Sequence, residues 1–481
     1  LPEHFDVIVI GGGPAGVTAA LRARELGASV ALIESRRLGG TCTNDGCVPV
    51  RALAHAARLV RETEQSDVYG IACDRTAADF AKVIARANRV VHDVHAKKDL
   101  PGTLARAGVT VFDGAGDAKL TAPHEVRLGD RRTLGGRKFI LCVGGRPRPL
   151  PCPGAELTLS SNDVWSMRTR PARLVIVGAS ATGCQLASVF EALGTRVTLM
   201  DMAPRLLPPV DEDASTELTA AFRRRGIEIV TGMERVHRVE LAANEARRLA
   251  YRVNGEDRSA DADAVLVSIG WPGNADRLDP AAAGIEVDEK NFVRVNDRQQ
   301  SVSAPHVFAA GDGDGTVLLV QAAHAEGTLA AENAVLGPNR AIAHGIVPHG
   351  GFTNPEYGSV GITEAQAREK HPGAAAATVW YRELDRAVID GRRDGLCKLV
   401  VERTSRRILG AHVVGEDATE VVQIVATAMA GGMTVDALAA VEFSYPTYTA
   451  IVGLAAREAV RTLHGAPAAA THRPEWERGG A

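Results

Sequence analysis

Two stretches of this 481-residue chain repeat one plan, and that repeat narrows the fold more than any other feature. In the first, the β-branched run FDVIVIG (5–11) reads as a buried strand. A glycine turn GGGPAG (11–16), a helical pattern VTAALRARELG and a second strand ending at Glu34 follow it. In the second, RLVIVG leads into GASATG (178–183), the pattern CQLASVFEALG and the strand TRVTLMD ending at Asp201. Gly11 to Glu34 and Gly178 to Asp201 both span 23 positions, and Gly11 to Gly27 and Gly178 to Gly194 both span 16. Strand, glycine turn, helix, strand and acid in this order make a dinucleotide-binding unit on a parallel sheet. Gly11 permits the tight turn, Gly13 lets the backbone approach a pyrophosphate, Gly16 lets helix and sheet pack closely, and Glu34 would take ribose hydroxyls. The second unit keeps Gly178 and Gly183 but carries Ser180 in the middle. Its acid, Asp201, would bond a free 2′-hydroxyl and repel a 2′-phosphate, which favours NADH, while nearby Arg205 keeps NADPH as the alternative.

The rest of the chain is organised around these units. At this length two to four domains are expected. Short strands closing on glycine recur at 138–145, 264–270 and 306–312. The last places Gly311 and Asp312 before an apparent helix, where backbone N–H groups would meet a phosphate and the carboxylate a sugar alcohol, and where Asp312 would also suit an N-cap. A proline-rich hinge at 146–154 marks the passage to the second unit. From about 346 the pattern changes to alternating strands and an apolar helix, an α+β region without a nucleotide fingerprint. The expected fold class is α/β, with two Rossmann-like nucleotide-binding domains and a C-terminal α+β dimerisation domain. The expected boundaries are 1–150 for the first part of one nucleotide-binding domain, 151–272 for the other and 273–345 for the second part of the first. An interface domain takes 346–465 and an unstructured tail 466–481.

A formal net charge of −3 offers no basic field for nucleic acid. No apolar run approaches the roughly 20 residues of a membrane span, and the first residues lack a basic leader. A cytoplasmic protein is expected, with small molecules or a second copy of itself as partners.

Seven cysteines are too scattered for a disulfide framework, and five of them read as small buried hydrophobes. Cys42 and Cys47, in GGTCTNDGCVPVRAL (39–53), stand apart. They can meet only if the chain bends tightly, which Asn44 and Gly46 allow. Pro49 suits a first helical turn, and a helix start favours a thiolate. Zinc would need two further ligands, and no second close Cys/His pair occurs, so no metal site is expected. A staple and inert thiols remain beside the favoured reading, a redox couple.

GGTCTNDGCVP together with GGGPAG, FAAGDGDG and YPTYT resembles the pyridine nucleotide-disulfide oxidoreductases, the class of glutathione reductase, dihydrolipoamide dehydrogenase and mercuric reductase. The likeness runs from about residue 5 to 463. It implies a homodimer with FAD in the first unit, NAD(P)H in the second and a redox-active Cys42–Cys47 disulfide. Cys47 would be the sulfur beside the flavin and Cys42 the one that meets the acceptor. Such an enzyme would reduce a small disulfide or a thiolate-bound metal such as mercuric ion.

The chain departs from that pattern at several points. The lysine and glutamate that pair beside the flavin in the family fall on Arg51 and Gln185. Arginine keeps its charge at any working pH and would favour anionic reduced flavin and a Cys47 thiolate. The aromatic gate falls on Ala181. The proton-shuttling histidine and its glutamate fall on Tyr445 and Ala450, and a phenol is a poor base near neutrality. An acceptor needing no proton shuttle is one consequence. A disulfide substrate protonated by Tyr445, Tyr448 or His324 is a second, and flavin-level reduction of a quinone or a second nucleotide, as in transhydrogenases, a third. A flavin-bound redox sensor without turnover is the reading outside catalysis.

Overall fold

The computed structural model describes residues 3–73, 78–242 and 245–465; the tail expected at 466–481 lies outside them. The chain divides into two compact units, Leu1–Pro204 with Gly226–His344, and Arg205–Arg225 with Gly345–Ala481.

In the first unit, strand Glu3–Ile10 lies between Val30–Glu34 and Thr133–Leu141, parallel to both, and Thr110–Asp113 extends the sheet beyond Val30–Glu34. Val307–Ala309 joins Thr133–Leu141 in parallel. Both faces of the first strand are buried. Val7 and Val9 meet the alanines of helix Pro14–Glu25, while Ile8 and Ile10 enter a second cluster with Phe139 and Leu141. A continuous β-branched run suits that environment better than an alternating one. The second glycine turn belongs to a five-stranded sheet in which Arg173–Val177 pairs in parallel with Arg196–Met200 and with Ala264–Val267.

The repeat read from spacing is a repeat of backbone geometry. Gly11 and Gly178 share a φ of 107°, a value an L side chain resists, and a Cβ at Gly16 or Gly183 would lie 1.8 Å from the carbonyl oxygen of Gly11 or Gly178. The architecture is α/β with two nucleotide-binding units, as expected.

The second unit is built on an antiparallel sheet ordered His349–Gly351, Glu356–Gly361, Ile408–Gly415, Leu396–Val401, Ala375–Trp380. Helices Ala418–Ala430 and Ala450–Leu463 bury Val421, Val425, Ile451 and Val452 in the same core as Leu399 and Val413. Among the described residues no helix is long and apolar enough to cross a membrane.

Two expectations need correction. Asp312 is no helix cap: Gly311–Gly313 forms a 3-10 turn, and the following helix begins only at Val320. The left-handed φ of Gly311 (70°) breaks the run, and its N–H donates to the Glu326 carboxylate (2.7 Å). Of the five outlying cysteines, Cys142, Cys184 and Cys397 are buried, but Cys73 is exposed and Cys152 half-buried.

Candidate active site

Cys42 lies in a short helix, Gly40–Asn44, and Cys47 is the first residue of the helix Cys47–Glu64, so the bend between them is made by Asp45 and Gly46. Asn44 closes the bend by donating from its side-chain amide to the carbonyls of Gly40 (3.0 Å) and Leu38 (3.3 Å). Pro49 falls in the first turn, as expected.

The two sulfurs hydrogen-bond each other, and they divide the proton unequally. Cys42 is held far above the usual thiol range by its bond to Cys47 and by burial. Cys47 is pulled down to about 7 by the same bond, against burial, with help from its own backbone N–H and from Lys98 and opposition from Asp312. A thiolate at Cys47 is thus favoured by a donor thiol and a helix start together. In the reduced protein, thiolate absorbance is expected to rise with pH through about 7 and to vanish in Cys47→Ser. A single step near 8.5, the ordinary thiol value, would contradict this arrangement.

Asp312 acts electrostatically on Cys47. Its carboxyl is pushed up by burial. Beneath the turn, Glu326 is fully buried and pushed up to about 8 by burial and by Asp314, with His344 Nε2 2.7 Å from its second oxygen. Neither Glu326 nor His344 stood out in the sequence.

The first glycine turn is shaped for a phosphate-bearing group. No side chain caps helix Pro14–Glu25 at Gly13, so its first N–H groups are left for another acceptor. Gly13 and Gly40 approach with bare backbones: a Cβ on Gly40 would lie 2.7 Å from the Gly13 Cα. Glu34 accepts the N–H of Gly12 (2.8 Å) and of Arg36 (2.7 Å). The second turn repeats this, Asp201 accepting from Ala179 (2.5 Å) and Ala203 (2.7 Å), with Ser180 exposed and not capping its helix. Each acid thereby braces its own glycine turn and retains lone pairs for a ribose. These residues fit the adenosine and pyrophosphate portions of FAD at the first glycine turn and of a nicotinamide dinucleotide at the second.

A comparison with known families matches residues 5–327 to the pyridine nucleotide-disulphide oxidoreductases and residues 347–456 to their dimerisation domain. The chain belongs to that family. It is an FAD-dependent NAD(P)H oxidoreductase of the kind that passes electrons through a redox-active disulfide to an acceptor. Among the curated relatives it is 30% identical to the mercuric reductase of Lysinibacillus sphaericus, over 94% of this chain and 82% of that protein. It is 33% identical to the dihydrolipoyl dehydrogenase of Thermus scotoductus, over 96% and 98%. Among solved structures it is similar to the Cu(II) complex of the HOCl-induced flavoprotein disulfide reductase RclA from Escherichia coli, with a TM-score of 0.83, 26% identity and coverage of 95% and 99%.

Within this family's pattern the remaining site residues separate. Arg51 lies one helical turn after Cys47, on the same face. Gln185 donates to the Ala181 carbonyl of its own helix (3.0 Å). The cysteine helix is joined to helix Ala181–Ala192 further along, where buried Arg61 reaches the Ser188 hydroxyl (3.0 Å) and Glu191 (3.4 Å). In the second unit Tyr445 is 76% exposed and donates to Asp385 (2.8 Å), whose carboxylate pushes the phenol pKa up. Tyr448 is buried and donates to Asp390 (2.9 Å).

Proposed function

We propose that this protein is a homodimeric, NADH-dependent flavoprotein reductase that delivers electrons through Cys42 and Cys47 to a soft metal ion held by thiolates. The observation that carries the choice of acceptor is the state of the shuttle position. The Tyr445 proton is engaged by Asp385, its pKa is raised rather than lowered, and Ala450 offers no partner. Reductive cleavage of a disulfide consumes two electrons and, to release two neutral thiols, two protons. A metal ion that exchanges one thiolate ligand for another needs no proton at that position. The relative named mercuric reductase and the solved structure holding Cu(II) support the same class of acceptor.

Bound FAD supplies the two-electron relay between nicotinamide and disulfide. Gly11, Gly13, Gly16, Glu34, Gly311 and Asp312 are proposed to hold it, and Gly178, Gly183 and Asp201 to hold NADH. The field of Asp312 at Cys47 supports Cys47 as the flavin-side sulfur, leaving Cys42 to meet the acceptor. Arg51 supplies a fixed cation one turn away. NADH is preferred because Asp201 presents a carboxylate where a 2′-phosphate would sit, while the Arg205 guanidinium donates to the carbonyls of Leu207 (3.3 Å) and Pro208 (2.7 Å).

One observation favours a second reading, reduction of a small disulfide. His324, bonded to Thr18 through Nδ1 (2.7 Å), has its pKa lowered by burial and by Lys98, which also acts on both cysteines. An acceptor panel separates the readings. Mercuric ion in excess thiol should turn over with NADH at a rate that Tyr445→Phe changes by less than about twofold, with small disulfides at least about a hundredfold slower. Fast disulfide turnover that His324→Gln abolishes would put the second reading first.

A further inference from the structure

The helix Phe80–Lys98 ends in a basic turn, His95, Lys97 and Lys98, and that turn grips the segment between the two cysteines. His95 and Lys98, three apart, share a helix face. His95 Nε2 pairs with Asn44 Oδ1 (2.7 Å), and Lys98 Nζ donates to Thr43 Oγ1 (2.9 Å). Thr43 is fully buried, whereas Lys98 stays exposed, so its ammonium stands at the solvent edge of the bend that carries Cys42. Lys98 acts electrostatically on Cys42, on Cys47 and on His324. Arg37 acts on His95 and Asp45, and exposed Arg36 lies 3.8 Å from Asp45. Asp45, half-buried and shifted toward its neutral form by that burial, is the acid of this rim.

We propose that Lys98 makes the acceptor site selective for anions, so that the natural acceptor is a soft metal ion carried by thiols that bear carboxylates. The proposal rests on Cys42 as the exchange sulfur. The step is a ligand exchange in which Cys42 forms one metal–sulfur bond as its S–H proton passes to the departing carrier sulfur, whose bond to the metal breaks. The carrier leaves as a neutral thiol, and the metal keeps its oxidation state until two electrons from NADH reduce it. An exposed ammonium beside the exchange sulfur attracts a carboxylate-bearing complex during approach and repels a cationic one, an effect that salt screens.

The test uses the holoenzyme and NADH with mercuric ion in the presence of excess 3-mercaptopropionate, 2-mercaptoethanol or cysteamine, which give anionic, neutral and cationic complexes of similar size. The expected kcat/KM order is anionic, neutral, cationic, with at least about a fivefold step on each side that shrinks at high salt. Lys98→Met should lower the anionic arm about tenfold more than the neutral arm, and Lys98→Arg should restore the order. An equal loss in all three arms would mean that Lys98 merely tethers Thr43, and an unchanged order would overturn the proposal directly. Turnover of all three complexes by Cys42→Ser would instead overturn the underlying assignment of the sulfur, whatever the order.

Discussion

Cys42→Ser should lose turnover of every thiolate-bound metal acceptor by on the order of a thousandfold or more while still binding FAD and accepting one equivalent of reduction from NADH. A serine hydroxyl is neither a soft-metal ligand nor able to form a disulfide with Cys47, so electrons would have no path from the flavin to the metal. Cys47 keeps its place at the helix start in this variant, so loss of FAD would signal damage rather than chemistry. Comparing mercuric ion with a quinone makes the outcome decisive. Quinone turnover that persists while metal turnover disappears fits the proposal. Metal turnover that persists refutes the role of Cys42, and flavin reduction that stops after one equivalent in the wild type, with every acceptor, indicates a sensor.

Lys398→Met should destabilise the C-terminal unit by about 3 to 5 kcal/mol, because it leaves a charge buried without its partner. Lys398 is 3% exposed, on a strand buried throughout, and its Nζ lies 2.9 Å from Asp211, 2.6 Å from Asp213 and 2.7 Å from Glu364. Asp211 is itself 2% exposed, caps helix Glu212–Arg224 and accepts the N–H of Glu364. Burial opposes its ionisation, yet the Lys398 hydrogen bond holds the carboxyl below its usual 3.8. A folded-state value depressed in this way gives stabilisation that is present above 3.8 and lost as the pH falls further. Thermal unfolding at neutral pH should show a lowered midpoint for Lys398→Met. Adding Asp211→Asn should recover part of it, since asparagine still caps the helix without a charge. A wild-type midpoint in Lys398→Met would show that the cluster contributes no net stability.

The resemblance and the structure differ most where position depends on packing. FDVIVIG, GGGPAG and the acid at Glu34 could be read locally, because a tight left-handed turn, a helix start and a strand end are set by neighbouring residues. Their counterparts around Gly178 and Asp201 repeat the hydrogen bonds as well as the spacing. The local structure at Asp312 is not legible in the sequence, because one left-handed glycine and a bond to Glu326 are indistinguishable there from a helix entry. Glu326 looked like any helical glutamate, and only its complete burial marks it.

Sequence alone determined that two nucleotide units flank a close cysteine pair, since each of these features is a short-range pattern with few structural solutions. The resemblance of YPTYT to the family's motif, rather than any spacing within the chain, is what puts Tyr445 and Ala450 forward as the positions of the expected shuttle. The tertiary structure decided the charge around the sulfurs. Lys98 reaches Thr43 across 55 positions and His95 reaches Asn44 across 51, in a segment, HAKKD, that reads as an ordinary solvated helix end. Which helix end meets the bend is set by how the helices pack on one another, and no local pattern carries that information.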